Sequence, residues 1–424
     1  MKEMEKFGKK AILLGVESTY NKDSFDSLDE LETLCKTLEI EVVDKVIQRR
    51  VKPDSVTYVG SGKLHKIKDY CLANSIDLIV IDDEITPIQL RNIEEITGLK
   101  VVDRTQIILE IFSKHASTHE GKLQVEMAKL IYDLPRLRGK GLELSNPGGG
   151  IGTRGPGETI LELDRRRIKD RISQLKKELE KIRKNRHTVR KSRLESGYYI
   201  FSVVGYTNAG KSTLLSALSK EEDIIISDKM FSTLNPTVRR IKLPDGRFVL
   251  LSDTVGFIRK LPHTLVEAFH STLEEILYSD VIIILVDVSD TNYKKKLSAS
   301  FSVLEEIKAN DKPYFIVFNK IDLVPEDYLD MIRYEYPNSV FISAKSKLGF
   351  EVLYKKIREY IDIFDIRKRI HIKAEQLSVI LKYADFIEWN VVEYLNDGYI
   401  LDIKGPENIV EKISKQLKDD KQMF

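Results

Sequence analysis

Two cysteines in 424 residues are too few to build a disulfide framework. Cys35 and Cys71 also lie too far apart for a zinc ribbon, so a reducing compartment is expected. Long apolar runs are missing as well. The run near the start, Ala11 to Val16, is too short for a signal peptide. The longest elsewhere, Val281 to Val286, falls well short of the roughly 20 residues that a membrane helix needs. No membrane partner is required on this reading, and a cytoplasmic location is expected. Nor is one sign of charge in excess: 68 Lys+Arg face 66 Asp+Glu, a net charge of +2. That excludes a uniformly basic coat and leaves any nucleic-acid contact to local clustering. Internal repeats are absent too. What the chain does have is length, enough for about three domains at roughly 150 residues each and for several cores without staples.

Short aliphatic runs at 11–16 and 78–83 read as buried parallel strands, with a further strand near 40–47 and another over Leu99 to Val102. Between them lie an amphipathic segment (Leu28, Leu31, Leu34, Leu38), a helix from Lys63 to about Ala73 and a helix near 86–97. Alternating strands and helices imply an N-terminal α/β domain over 1–115. Leu123, Met127, Leu130, Ile131 and Leu134 then follow helical spacing. The stretch Gly139 to Gly157 holds eight of the 22 glycines and two prolines, a density that no helix or strand survives. After it, Leu161, Ile168, Ile172, Leu175, Leu179 and Ile182 form an a/d seam. Residues 116–196 are thus expected to form an antiparallel helical hairpin with the glycine loop, 139–157, at its tip. A second α/β pattern opens at 197 and closes at 364. The remaining 365–424, with a turn at Asn396-Asp397-Gly398 and a strand Tyr399 to Ile403, read as a small α+β domain.

The chemistry concentrates in the third segment. Gly205-Tyr206-Thr207-Asn208-Ala209-Gly210-Lys211-Ser212 matches GxxxxGK[ST], after an apolar strand (Ile200 to Val204) and before a helix that begins near Lys211. Glycines let the backbone wrap phosphates, so that N–H groups and the helix N-terminus face negative charge. Lys211 reaches the β- and γ-phosphates in such a loop and Ser212 supplies a Mg²⁺ ligand, with Thr213 following. A chance glycine turn competes with the bare motif, but not with the order of motifs that follows. Asp253-Thr254-Val255-Gly256 comes after the strand Phe248 to Leu251, which suits a water-mediated Mg²⁺ carboxylate and a γ-phosphate-sensing glycine. Asn319-Lys320-Ile321-Asp322 comes after Tyr314 to Phe318, and Ser343-Ala344-Lys345 after Ser339 to Ile342. Four loops at the carboxyl ends of four strands share one rim of a mostly parallel sheet with helices on both faces, where open α/β folds bind ligands.

The third motif also chooses the base. The Asp322 carboxylate can accept from guanine N1–H and the exocyclic amine, whereas adenine N1 would face it with an unpaired lone pair. Such a mismatch costs about 1–3 kcal/mol or more. Asn319 is expected to brace the phosphate loop and guanine N7, Lys320 to cover the ring, and the Ala344 N–H to read O6, with Ser343 and Lys345 beside it. The segment resembles the G domain of translation-factor-related GTPases. That resemblance implies a threonine presented to Mg²⁺ from Phe231-Ser-Thr-Leu-Asn-Pro-Thr237, where the F-x-T-L-x-P pattern favours Thr233 over Thr237. It makes Lys211, Thr233 and Gly256 the catalytic set. Phe257 occupies the position where many GTPases carry a glutamine that orients the attacking water, so slow intrinsic hydrolysis is expected, rising with a partner. Asn208 matches a position that binds a monovalent cation in some potassium-activated GTPases, which raises K⁺ as an activator. Bracing of the loop by the Asn208 side chain is the plainer alternative.

From Arg165 to Arg193, 14 Lys+Arg stand against three acids, an excess of 11 in a chain of net +2. Solvated helix faces mix their signs, and like charges on a helix repel. A polyanionic partner is expected, contacted through Arg154, Arg165, Arg166, Arg167, Lys169 and Arg171. Phosphate contacts of this kind are salt-dependent and blind to sequence, and structured RNA is read mainly by shape and backbone. The segment Asn146-PGGGIGTRGPGET-Ile160 joined to a basic helix, followed by GYTNAGKST, FSTLNPT, DTVGF and NKID, resembles the HflX family of ribosome-associated GTPases over nearly the whole chain. Asn235 departs from the family, in which an Asp is common at that place. The resemblance implies binding to the large ribosomal subunit and its rRNA, hydrolysis of GTP to GDP stimulated there, and splitting of stalled ribosomes under stress. It also implies that the glycine loop approaches the peptidyl-transferase region. Nothing in the sequence demands a dimer, and a monomer is expected.

Two other classes compete. One is an ATP-dependent RNA-remodelling enzyme with a regulatory G domain. Gly60-Ser-Gly62-Lys63 is its tempting phosphate loop, but Thr57 stands where the first glycine belongs and Leu64 follows the lysine, so a strand-to-helix turn fits better. The other is an assembly module that binds a protein through the glycine loop.

Overall fold

The computed structural model describes residues 10–18, 23–137, 156–195, 197–219, 238–254, 256–260 and 275–419, and in the helix 156–195 the side chains of 162–184. The chain forms two compact units. The first comprises Met1–Ile182 with Asp228–Asn235 and Ile258–His270; the second comprises Arg183–Ser227, Pro236–Phe257 and Ser271–Phe424.

In the first unit, β1 (Lys10–Glu17), β2 (Glu41–Arg49), β3 (Leu78–Ile81) and β4 (Lys100–Asp103) form a parallel sheet in the order β2-β1-β3-β4. The aliphatic runs seen in the sequence are β1 and β3, both buried. Around the sheet lie α1 (Ser24–Thr37), α2 (Ser61–Ala73), α3 (Pro87–Thr97), α4 (Arg104–His115) and α5 (His119–Asp133). Local signals set their ends: Thr86 and Gln89 make a reciprocal capping box on α3, and Gly98 closes it in the left-handed conformation. The Asp103 side chain accepts from the Gln106 N–H at the start of α4. The sequence reading assigned no element to 104–115. Seven of the twelve α4 residues are buried, on more than one side, so no amphipathic period marks the helix.

The Gly60 region is not a phosphate loop. Eleven residues separate β2 from α2, and the Gly60 N–H already donates to Gln48 Oε1 at 2.8 Å. The helix Pro156–Glu195 begins two residues before the expected end of the glycine loop. Proline fits a first helical turn, where its missing N–H would have had no partner, so Pro156 and Gly157 belong to the helix. Leu175 in the a/d seam is fully buried, and Arg171 donates two hydrogen bonds to Glu126 of α5 at 2.7 and 3.0 Å.

The second unit is built on a six-stranded sheet, β10-β9-β8-β5-β7-β6. Its strands are β5 (Ile200–Gly205), β6 (Val238–Lys242), β7 (Phe248–Asp253), β8 (Val281–Asp287), β9 (Tyr314–Asn319) and β10 (Val340–Phe341). All are parallel except β6, which pairs antiparallel with β7 at the edge. Alternate residues of β5 enter different cores. Phe201 and Val203 pack with Leu214, Leu215, Leu353 and Ile357 from the helices 211–218 and 350–364. Val204 packs with Leu297, Leu304, Leu329 and Ile332 from the helices 293–306 and 326–335. Helices therefore cover both faces. The chain leaves β5 toward β7 on one side and returns to β8 on the other, which makes the carboxyl end of β5 the topological switch point.

After the helix 350–364 come β11 (Ile366–Lys373), β12 (Glu388–Leu395) and β13 (Gly398–Gly405), an antiparallel sheet in the order β11-β13-β12. Helices 377–382 and 407–419 pack Ile380, Ile409, Val410 and Ile413 against Ile372, Leu401 and Ile403 of this sheet. At the junction the fully buried Asp365 carboxylate accepts from the Arg247 guanidinium at 2.6 Å and from the Tyr199 hydroxyl at 2.9 Å.

Candidate functional site

The loop 205–212 leaves the carboxyl end of β5 and runs straight into the helix Lys211–Leu218. Gly210 has φ +94°, and a Cβ there would lie 2.3 Å from Asn319 Nδ2, so glycine is required both for conformation and for space. That close approach is itself part of the site. Asn319 Nδ2 donates to the Ala209 carbonyl at 2.8 Å, and Asn319 Oδ1 accepts from the Ala344 N–H at 2.9 Å. One buried side chain thus ties together three loops that the sequence separates by up to 135 residues. The expected reader of guanine O6, the Ala344 N–H, has its bond to Asn319 here. Bracing of the phosphate loop by Asn319 is seen directly.

Lys211 is buried, and its ammonium donates to the carbonyls of Gly205 at 3.0 Å and Tyr206 at 2.8 Å. Burial brings it down to about 8, while the nearby Asp253 carboxylate works in the opposite direction. Such a cation, held at a helix N-terminus, can accept a polyphosphate. Ser212 Oγ donates to Asp253 Oδ2 at 3.3 Å, which places a hydroxyl and a carboxylate side by side. Two hard oxygen donors of this kind fit Mg²⁺. Gly256 lies within the same group: a Cβ on it would meet Lys211 Nζ at 2.9 Å and the Thr207 methyl at 2.9 Å.

Two of the expected contacts have structural duties instead. The Thr254 hydroxyl donates to the Val203 carbonyl at 2.9 Å and its N–H to Asp253 Oδ1, so it orients the carboxylate. The Tyr206 ring is buried in the core beneath the loop, leaving only its backbone for the site. Asn208 is exposed, with φ +63°. At the base-reading end, Asp322 is exposed in the short helix 321–323 and makes no hydrogen bond to any described residue. Ser343 is buried, its Oγ accepting from the Ser346 N–H, and Lys345 is exposed. Asp287, at the carboxyl end of β8, was not foreseen: it pairs with the Lys320 ammonium at 2.6 Å. Its signal was present, since it ends the apolar run 281–286 on the same rim. Thr233, Val255 and Arg154 lie outside the described residues.

Among the residues expected to meet RNA, Arg166, Arg167 and Lys169 are exposed on the helix 156–195. Arg167 pairs with Asp164 at 3.4 Å. Arg165 is half-buried, and Arg171 is committed to Glu126. No described helix is long and apolar enough to cross a membrane.

Comparison with known proteins bears on the same regions. Residues 25–113 match the family model described as GTP-binding GTPase N-terminal, 115–193 the GTP-binding GTPase middle region, and 200–320 the 50S ribosome-binding GTPase. The chain is 42% identical over 415 residues to "GTPase HflX" of Lacrimispora saccharolytica, covering 97% of both chains. It is 40% identical to "GTPase HflX" of Escherichia coli K12 over 83% of both. A solved GTP-binding protein from Sulfolobus solfataricus in complex with GDP is 27% identical, covers 83% of this chain and 98% of its own, and superposes with a TM-score of 0.43.

Proposed function

The chain belongs to the HflX family of GTPases, and from that premise we propose that its nucleotide state sets its affinity for the large ribosomal subunit, splitting or rescuing stalled ribosomes under stress. Hydrolysis of GTP goes with the family. The observation that most supports the nucleotide assignment is Asn319, whose side chain joins the phosphate loop to the Ser343–Lys345 loop. That tie keeps the phosphate and base ends of the site in register.

In this reading Lys211 and the N–H groups of 205–213 hold the phosphates. Ser212, Thr233 and Asp253 would hold Mg²⁺, which when bound would offset charge on the phosphate oxygens. Asp322 reads the guanine N1–H and 2-amine, with Asp287 keeping Lys320 in place over the ring. Val255 and Gly256 follow the γ-phosphate. Asn208 is a candidate K⁺ ligand, and the protein acts as a cytoplasmic monomer. Arg154, Arg165, Arg166, Arg167 and Lys169 meet rRNA phosphates, whereas Arg171 first has to leave Glu126.

Sedimentation with purified large subunits tests the switch. The GTP-analogue form is expected to bind about 5–150-fold tighter than the GDP form, the usual range of coupling between two sites. Equal binding in the GTP-analogue, GDP and nucleotide-free states would reject it.

A pH effect follows from Lys211. With its folded value lowered to about 8, the cost of a buried cation is present below pH 8 and fades as pH rises toward the ordinary lysine value. Triphosphate beside the ammonium favours the charged form, so nucleotide binding above pH 8 takes up a proton. Affinity should therefore weaken by up to about tenfold per pH unit above that point. Titration calorimetry at pH 9 in buffers of different ionisation heat should report uptake of about 0.9 proton, against about 0.1 at pH 7. Uptake that does not change with pH would show that Lys211 does not carry the phosphate contact.

A further inference from the structure

The residue at 257 is fixed in a way that rules out one source of catalysis and directs attention to another. The Phe257 N–H donates to the Gly205 carbonyl at 3.0 Å, and the Phe257 carbonyl accepts from the Thr207 N–H at 2.9 Å. These two bonds clamp the loop after Gly256 onto the phosphate loop as a parallel bridge between Tyr206 and Phe257. The Phe257 ring is 3% exposed and sits in the core with Tyr206, Ile276 and Ile284. It has no group able to hold water, and its backbone has no slack to bring a neighbour into its place.

Across that bridge stands Thr207. Thr207 is 5% exposed, and its Oγ1 is buried with no hydrogen-bond partner among the described residues. An unpaired buried hydroxyl is unfavourable unless a ligand or water completes it. Its surroundings put the side chain beside the phosphate end of the site. A single point, the position of a Cβ on Gly256, lies 2.9 Å from the Thr207 methyl and 2.9 Å from Lys211 Nζ. Thr207 therefore shares its corner with the lysine and the glycine that face the terminal phosphate in the reading above, on which this inference rests.

The geometry points to the Thr207 hydroxyl as the group that holds the attacking water, in place of the side chain that position 257 cannot provide. The hydroxyl accepts a hydrogen bond from the water and donates its own hydrogen to a γ-phosphate oxygen. The water oxygen bonds to the γ-phosphorus as the bond from that phosphorus to the β–γ bridging oxygen breaks, the electron pair remaining on GDP. The water proton passes to a γ-phosphate oxygen, and Thr207 stays neutral throughout. A neutral hydroxyl orients water without taking its proton, which suits slow turnover in the absence of a partner.

Thr207→Val keeps the shape and removes the hydroxyl; Thr207→Ser keeps the hydroxyl. Single-turnover hydrolysis by the full-length protein at saturating GTP is expected to fall about 10–100-fold in T207V and to stay within about threefold of wild type in T207S. GDP affinity should match wild type in both, and GTP-analogue affinity should fall by no more than about tenfold in T207V, the contribution of one hydrogen bond to the γ-phosphate. The melting temperature should not fall, since the hydroxyl has no partner among the described residues. The loss should be the same in K⁺ and Na⁺. Wild-type hydrolysis in T207V, a loss of GDP affinity, or a defect confined to one cation would overturn the assignment. Absence of GTP hydrolysis in the wild type itself would instead overturn the reading beneath it.

Discussion

Asp322→Asn is expected to weaken GTP binding by about two to three orders of magnitude while raising affinity for xanthosine triphosphate. The Asp322 carboxylate is exposed at the rim and bonds to no described residue, so it is available to a base. Against guanine it accepts twice, from N1–H and from the 2-amine. An asparagine oxygen can still accept from N1–H, but without charge, and its amide then turns hydrogens toward the amine. Hydrogen bonds to charged groups contribute about 1.5–3 kcal/mol each, so losing one and weakening the other gives the stated range. Xanthine carries a carbonyl oxygen at that position, which the new amide satisfies. Equilibrium binding of GTP, ATP, inosine and xanthosine triphosphates to both proteins checks the pattern. Inosine triphosphate, with N1–H but no amine, should discriminate less between wild type and variant than GTP does. Unchanged GTP affinity in the variant would remove the chemical basis for guanine selection.

The motifs that carry this prediction were legible because each is contiguous and ends an apolar strand. Gly205–Ser212, Asp253–Gly256, Asn319–Asp322 and Ser343–Lys345 all follow parallel strands of one sheet. A strand-end loop needs no knowledge of its distant partners to be recognised. What the chain order hid are the joins. The Ala344 N–H meets Asn319 rather than being left open, and Asp287 meets Lys320 across two strand ends. The Phe257 backbone clamp joins residues about 50 positions apart. None of these leaves a local pattern, because a hydrogen bond between distant loops puts no periodicity on either.

The elements missed divide in the same physical way. Val238–Lys242 is an edge strand with only Ile241 fully buried, so its charged residues mask it. Ile366–Lys373 alternates, but cations occupy its outward positions, and its apolar residues acquire meaning only once β13 lies beside them. The long helix carries the expected seam, and its first two residues are the last two assigned to the glycine loop. There, glycine density outweighed a proline in a position that helices favour.

Neutralising the cations that open the basic run of that helix should produce the largest loss of ribosome binding. A variant carrying Arg165→Gln, Arg166→Gln and Arg167→Gln removes three of the excess charges from the first turns after the glycine loop. If each contacts one phosphate, the slope of log affinity against log salt should shrink by about 2–3, since each contact contributes about 0.7–0.9. Binding to large subunits at moderate salt should then drop by about 10–1,000-fold, and the deficit should narrow as salt rises. Glutamine is shorter than arginine but has a similar helix propensity, so helicity should hold. The Arg167–Asp164 pair is exposed and contributes little to stability. Hydrolysis without ribosomes should also be unchanged, because none of the three arginines belongs to the nucleotide loops. Two results distinguish the alternatives. A loss that does not vary with salt would mean that these arginines make specific contacts with a protein surface. Undiminished binding would mean that the helix charge is solvated and that the partner is held elsewhere. Arg171→Gln is the internal control: its guanidinium already faces Glu126, so its removal should lower stability more than it alters the salt slope.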